Sequence, residues 1–111
     1  MELKQMFQAY LAELFPETAE FEDNGRQTLR ITYPLAQTSP GSRYSRPVDL
    51  VFDEEVIAGF RAAIDANNVA RQDRFGDLLE ELVRTCLSEY DEAGPIDTAF
   101  QIDIDRRVLD L

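Results

Sequence analysis

The residues with the clearest potential for binding chemistry lie in a loop near the middle of the chain. Residues Pro34 to Arg46 are rich in Ser, Thr, Pro and Gly, which predicts an exposed loop. Arg43, Tyr44 and Arg46 lie at its end, and two guanidinium groups so close together could bind a carboxylate or a phosphate. The simpler interpretation is that they balance nearby acidic residues. We predict Arg43, Tyr44 and Arg46 as candidate residues for binding a small anion.

A second group of interest consists of aspartates near the C-terminus. Asp103 and Asp105 alternate with apolar residues, and Asp97 is close to them in sequence. Carboxylates are ligands for hard cations, but such sites usually need more converging oxygens than these residues offer. The alternative is that the charges keep a strand soluble and discourage pairing at its edge. We therefore predict no metal site.

The composition removes several kinds of catalysis. The chain contains no histidine and one cysteine, Cys86. This excludes the Ser-His-Asp triad, the Cys-His pair, zinc sites built on histidine and any disulfide within the chain. Carboxylate pairs and Tyr44 are the remaining candidates for acid–base chemistry, and their spacing selects none of them. We predict a non-catalytic protein without a cofactor.

The net charge of -11 over 111 residues is large. It should repel nucleic acid and anionic membranes and attract basic protein partners, although it could also serve solubility alone. The N-terminus does not resemble a signal peptide, and no apolar run approaches the length that spans a membrane. We expect a cytoplasmic protein.

The stretch from Asp53 to Tyr90 carries the largest apolar surface, so the rest of the chain should pack against it. Its second half has apolar residues at helical spacing, namely Phe75, Leu79, Leu82, Cys86 and Tyr90. Asn67-Asn68 favours two helices over one broken helix. A further helix is predicted from Glu2 to Leu14, before Pro16.

Four strands are predicted around these helices. A hairpin spans Ala19 to Tyr33, a third strand spans Pro47 to Phe52, and a fourth spans Thr98 to Asp105. The expected order is α-β-β-β-α-α-β. We predict a single α+β domain over residues 1–111, with two layers: a mainly antiparallel four-stranded sheet and helices on one of its faces.

The hairpin register can be argued from its turn. A three-residue loop with Gly25 in the left-handed region would place Glu22 opposite Arg26 and would line up Phe21, Leu29 and Ile31 on one face. An Asn-Gly turn of two residues would not align these apolar side chains. The sequence therefore predicts the three-residue loop, with Arg26 and Arg30 among acids on the opposite face.

The C-terminal segment suggests self-association. Its apolar residues must be buried, and the strand could return to its own sheet or pair with a second copy of the chain. We predict a homodimer to which this segment contributes through Phe100, Ile102, Ile104, Val108 and Leu109.

Three resemblances bear on function. The order α-β-β-β-α between Glu2 and Tyr90 resembles the double-stranded-RNA-binding domain, but that family carries lysines where this chain has Asp53-Glu54-Glu55, so we predict no nucleic-acid binding. Length, charge and element order are similar to those of small acidic secretion chaperones, which bind unfolded segments as dimers. The run from Arg46 to Phe52, followed by an acidic helix, resembles a family of short Burkholderia-type bacterial proteins of unknown function.

The functional prediction follows from these points. We expect a small acidic domain that acts through protein–protein contacts, as an adaptor or in a chaperone-like role. The first alternative is a protein that binds a small anion through Arg43 and Arg46. The second is an enzyme that uses carboxylates.

Overall fold

The computed structural model describes residues 2–25, 27–35 and 43–109. Its helices are α1 (Leu3–Leu11), α2 (Glu54–Asp65) and α3 (Val69–Leu87), and its strands are β1 (Glu20–Asp23), β2 (Thr28–Thr32), β3 (Val48–Phe52) and β4 (Phe100–Ile104). Short 3-10 helices occupy Ala12–Leu14 and Arg106–Leu109. The predicted α+β class and element order are confirmed. None of the described helices is both long and apolar enough to cross a membrane.

The strands form one sheet in the order β1-β2-β3-β4. β1 and β2 are antiparallel, as are β2 and β3, whereas β4 lies parallel to β3. A parallel neighbour requires a long crossover connection, which α2, α3 and the segment that follows them provide. Of the two predicted alternatives for the fourth strand, the structure shows its return to its own sheet.

Strand periodicity divides the sheet into a buried and an open face. The buried sheet residues are Phe21, Leu29, Ile31, Val48, Leu50, Phe52, Ile102 and Ile104. They alternate with exposed or half-buried residues, so the helices cover one face, as predicted. Phe7 of α1 lies at the centre of the core, where its ring stacks on Phe52 with centroids 4.4 Å apart and also contacts Phe60 and Phe75.

The predicted hairpin register is wrong. Glu22 pairs with Arg30, four residues beyond the predicted Arg26, and Phe21 pairs with Ile31. The shift is even, so the same apolar side chains still face the core. Asp23 belongs to β1 rather than to the turn, and its carboxylate accepts a hydrogen bond from the backbone N–H of Leu3 at 3.0 Å. This long-range bond at the start of α1 cannot be read from the local turn sequence.

The turn itself keeps one predicted feature. Gly25 has a φ of 71°, in the left-handed region that glycine adopts without strain, as predicted. Gln27 also has a positive φ of 62°, and its backbone oxygen accepts a hydrogen bond from Phe52 N–H at 2.9 Å. Arg26 lies outside the described residues.

The Asn67-Asn68 pair separates two helices, as predicted. Asn67 has a positive φ of 54°, and the Asn68 side chain accepts a hydrogen bond from Arg71 N–H, which caps α3. Asp53 occupies the position before α2, but its side chain makes no capping hydrogen bond there. Residues of both α2 and α3 border a groove that is described below.

Candidate functional site

Two of the three predicted anion-binding residues, Arg43 and Arg46, contact the connection between α3 and β4. Arg43 Nη2 donates to the carbonyl oxygen of Gly94 at 2.8 Å, and Arg46 Nε donates to that of Thr98 at 2.8 Å. Arg43 and Tyr44 are exposed, as expected of a loop, whereas Arg46 is half-buried. The structure therefore brings both arginines to one segment, where they hold backbone carbonyls. The rest of the predicted loop, residues 36–42, lies outside the described residues.

The same connection is anchored by two tyrosines for which the sequence analysis predicted no hydrogen-bonding role. Tyr33 Oη donates to Glu92 Oε2 at 2.9 Å, and Tyr90 Oη donates to the backbone oxygen of Arg46. The backbone N–H of Arg46 donates in turn to Glu92 O at 2.9 Å. Burial, together with the hydrogen bond to Glu92, raises the pKa of Tyr33 well above its usual range. This network gives the loop a structural role at one end of the sheet.

The residues predicted to form a dimer lie mostly in the core of their own chain. Ile102, Ile104, Val108 and Leu109 are buried there. Phe100 is half-buried, with its ring 5.3 Å from that of Tyr90. Their side chains thus stabilise the fold, and a contribution of this segment to a dimer would have to come from the backbone of β4.

The outer edge of β4 offers such a contribution. Phe100 N–H donates to Pro47 O at 2.7 Å, and Ile104 O accepts from Asp53 N–H at 2.9 Å, so these residues direct their backbone groups toward β3. Because the direction alternates along a strand, the N–H and C=O groups of Gln101 and Asp103 point to the opposite edge. No described strand pairs with that edge.

The open sheet face is acidic. We define it as the strand residues that alternate with the buried ones and so point away from the helices: Glu20, Glu22, Thr28, Arg30, Thr32, Asp49, Val51, Gln101 and Asp103. Arg30 binds Asp49 through two hydrogen bonds, of 2.8 Å from Nε and 2.9 Å from Nη2. Arg30 is the one basic residue among the described residues of this face, and it binds Asp49. The carboxylates of Glu20, Glu22 and Asp103 are therefore not balanced by a positive charge on this face. The prediction that Arg30 lies among acids on the face opposite the apolar side chains is confirmed.

Two of the three aspartates considered as metal ligands, Asp103 and Asp105, have other partners. Asp105 Oδ1 accepts a hydrogen bond from Arg107 Nε at 2.7 Å, which lowers the pKa of its carboxyl. Asp103 Oδ1 accepts from Gln101 Nε2 at 2.9 Å. Within the described ranges, no three carboxylate or thiol side chains come together as a metal site would require.

A groove between α2 and α3 was not predicted from the sequence. It has a volume of about 320 Å³ and is bordered by Gly59, Phe60, Ala63, Asn68, Ala70, Arg71, Arg74, Phe75, Val108 and Leu109. Small residues of the two helices, Gly59, Ala63 and Ala70, are among those that border it. The only sequence signal for it is the pair of arginines that follows Ala70.

Comparisons of this chain with protein-family models, with curated proteins and with solved structures found no match.

Proposed function

We propose that this protein is a non-catalytic binding module, an adaptor or chaperone-like protein, that contacts a basic segment of another protein through its open sheet face. One observation carries the proposal: the helices cover one face of the sheet, and the other face presents carboxylates in excess. Arg30 does not offset this excess, since both of its bonded nitrogens already bind Asp49. A lysine- or arginine-rich segment is the partner that this charge pattern favours.

The size of the face limits the affinity. Four strands of about five residues, spaced about 4.8 Å apart, present roughly 300 Å². A stable protein–protein interface buries about 800 Å² on each partner. A single open face would therefore support a weak, salt-sensitive contact, and a second copy of the chain would be needed to extend the surface.

The proposal includes a homodimer for this reason. Pairing of two β4 edges would join two sheets into one and would double the open face. The symmetric arrangement centred on Ile102 places Gln101 of one chain opposite Asp103 of the other, where an amide and a carboxylate can form hydrogen bonds. A cytoplasmic location and membership of the Burkholderia-type family remain part of the same proposal.

The two alternatives have less support. Each arginine of the proposed anion site donates to a backbone carbonyl, so an anion would have to compete with Gly94 and Thr98. A carboxylate enzyme would need acids around a cavity, and the described residues that border the α2–α3 groove include none. A second cavity is bordered by Glu2 and Asp23, but the Asp23 carboxylate already accepts hydrogen bonds from the backbone N–H groups of Leu3 and Lys4. Neither function is favoured by a specific observation.

The binding face can be tested with charge reversal. A synthetic peptide rich in lysine and arginine would be titrated into the full chain, with amide chemical shifts recorded by NMR. We expect the shifts to map to the open sheet face. The double variant Glu22→Lys/Asp103→Lys should weaken binding by about tenfold or more, because it removes two attractive charges and adds two repulsive ones.

The matched control is Glu81→Lys/Glu89→Lys, which changes the net charge equally but alters exposed residues of α3 and the turn after it. We expect the control to bind nearly as well as the original chain. Equal losses in both variants would show that only the overall charge matters, and shifts confined to the helices would reject the open sheet face.

A further inference from the structure

The α2–α3 groove combines an apolar floor with a positively charged rim. Phe60, Phe75 and Leu109 are buried residues that border it, and the small residues Gly59 and Ala63 border it as well. The Cβ of an alanine at position 59 would lie 2.8 Å from Leu109 Cδ2, so glycine there also allows the C-terminal 3-10 helix to close one side. The groove is therefore a feature of the packed core and not of a loop.

The charge around the groove is opposite to that of the whole chain. Among the described residues, Arg71 and Arg74 border it, and no carboxylate does so. The first turn of α3 contains no acidic residue, whereas the first turn of α2 contains Glu54 and Glu55. In a protein with a net charge of -11, the described border of the groove is unusual because its charged side chains are basic.

Arg71 is suited to bind a ligand. Its side chain is exposed, and its guanidinium makes no hydrogen bond or ion pair with another described residue. Its backbone N–H is already bound by the Asn68 side chain, so the guanidinium is the group of this residue that a ligand can use. Guanidinium groups bind carboxylates through two parallel hydrogen bonds.

We infer that the α2–α3 groove is a binding site for a small amphipathic carboxylate, whose apolar chain or ring lies against Phe60, Phe75 and Leu109 and whose carboxylate binds Arg71. This site is independent of the open sheet face and goes beyond the proposed function. The volume of about 320 Å³ lies at the lower end of the range for small-molecule pockets. A ligand of this kind would desolvate the apolar floor and leave its charged end at the exposed rim.

Two ligands with the same chain separate the apolar from the ionic contribution. Octanoate and 1-octanol would be titrated separately into the full chain at concentrations below micelle formation, with affinity measured by NMR shifts of the Ala63, Ala70 and Arg71 amides. We expect octanoate to bind more tightly than 1-octanol, and both to shift these amides. Equal affinity for the two compounds, or shifts located elsewhere, would overturn the proposal.

Three variants test the residues. Arg71→Gln should weaken octanoate binding by about tenfold while leaving 1-octanol unchanged, because a hydrogen bond to a charged group is lost. Ala70→Trp should abolish binding of both compounds by filling the groove from an exposed position. Arg61→Gln is the control: it removes the same charge from an exposed position of α2 outside the groove.

The control variant should retain both affinities. Equal weakening by Arg71→Gln and Arg61→Gln would show an effect of net charge alone and reject the site. The open sheet face can be checked in the same samples with the basic peptide, whose binding should not respond to Arg71→Gln. A negative result for octanoate binding at the groove would therefore not affect the result for peptide binding at the open sheet face, and the reverse also holds.

Discussion

At the scale of single residues, Arg46 changes from a candidate ligand-binding residue into a structural one. Its Nε binds Thr98 O, and its guanidinium carbon lies 5.5 Å from the centroid of the Phe100 ring. We expect Arg46→Ala to lower the free energy of unfolding by about 1–2 kcal/mol, since it removes a charged hydrogen bond and a cation–π contact. Urea denaturation would measure this. Arg61→Ala, at an exposed position, should cost less than about 0.5 kcal/mol, and equal losses would contradict the role of Arg46.

Tyr33 gives a prediction about alkaline pH. Its pKa is raised in the folded protein, so the unfolded chain ionises first as the pH rises past the ordinary value of 10.0. The unfolded state then binds fewer protons than the folded state, and the free energy of unfolding falls above that pH. Below it, the contribution of Tyr33 is fully present.

We expect Tyr33→Phe to be less stable than the original chain by about 1 kcal/mol near neutral pH, since the hydrogen bond to Glu92 is lost. Between about pH 8 and pH 11 the variant should lose less stability than the original chain. The raised pKa of Tyr10 contributes equally to both proteins, so the difference isolates Tyr33. Parallel pH dependence in thermal unfolding of the two proteins would contradict the prediction.

The sequence identified Arg43 and Arg46 as notable residues but not their partners. Gly94 and Thr98 lie about fifty residues further along the chain and contribute backbone oxygens, which carry no sequence signal. Tyr33 and Glu92 are separated by 59 residues in the sequence, and nothing in the local pattern around either residue connects them. Side-chain type was enough to select arginines as candidate binding residues. Their hydrogen-bond partners could not be predicted, because tertiary packing brings them together.

At the scale of elements, periodicity predicted the helices, the strands and the buried face, because each apolar residue repeats with the spacing of its element. The Asn67-Asn68 break was also predictable from residue type. The hairpin register was not, because the bond from Leu3 N–H to Asp23 competes with the local turn preference. The α2–α3 groove was missed for a similar reason: its border combines residues of α2, α3 and the C-terminal 3-10 helix, which only tertiary packing brings together.

The contact between α1 and α3 depends on Gly76. An added Cβ at this position would lie 2.3 Å from Tyr10 Cδ1, so α1 could not pack as closely. We expect Gly76→Ala to destabilise the protein by about 1–3 kcal/mol, despite the higher helix propensity of alanine. Thermal or urea unfolding would measure the loss.

The sign of this effect should reverse when the clash is removed. In a Tyr10→Ala background, Gly76→Ala should stabilise the chain by about 0.5–1 kcal/mol through helix propensity alone. A double-mutant cycle over the four proteins gives the coupling between the two positions. Independent, additive effects would show that Tyr10 does not restrict residue 76.

At the scale of the whole molecule, the charge is divided between surfaces. The open sheet face presents carboxylates, and the rim of the α2–α3 groove presents arginines on the other layer. A basic protein segment and a small carboxylate would therefore be attracted to different surfaces of one chain. This division is the reason that the two proposals can be tested separately.

The proposed homodimer can be tested at the β4 edge without disturbing the core. The backbone N–H of Gln101 points away from β3, so proline at this position removes a donor only from the outer edge. We expect the original chain to sediment as a dimer at micromolar concentration and Gln101→Pro to sediment as a monomer with little loss of stability. Gln101→Ala keeps the N–H and should remain dimeric. If the original chain is monomeric, or if Gln101→Pro remains dimeric, pairing through this edge is excluded. The binding surface would then be limited to the open sheet face of one chain.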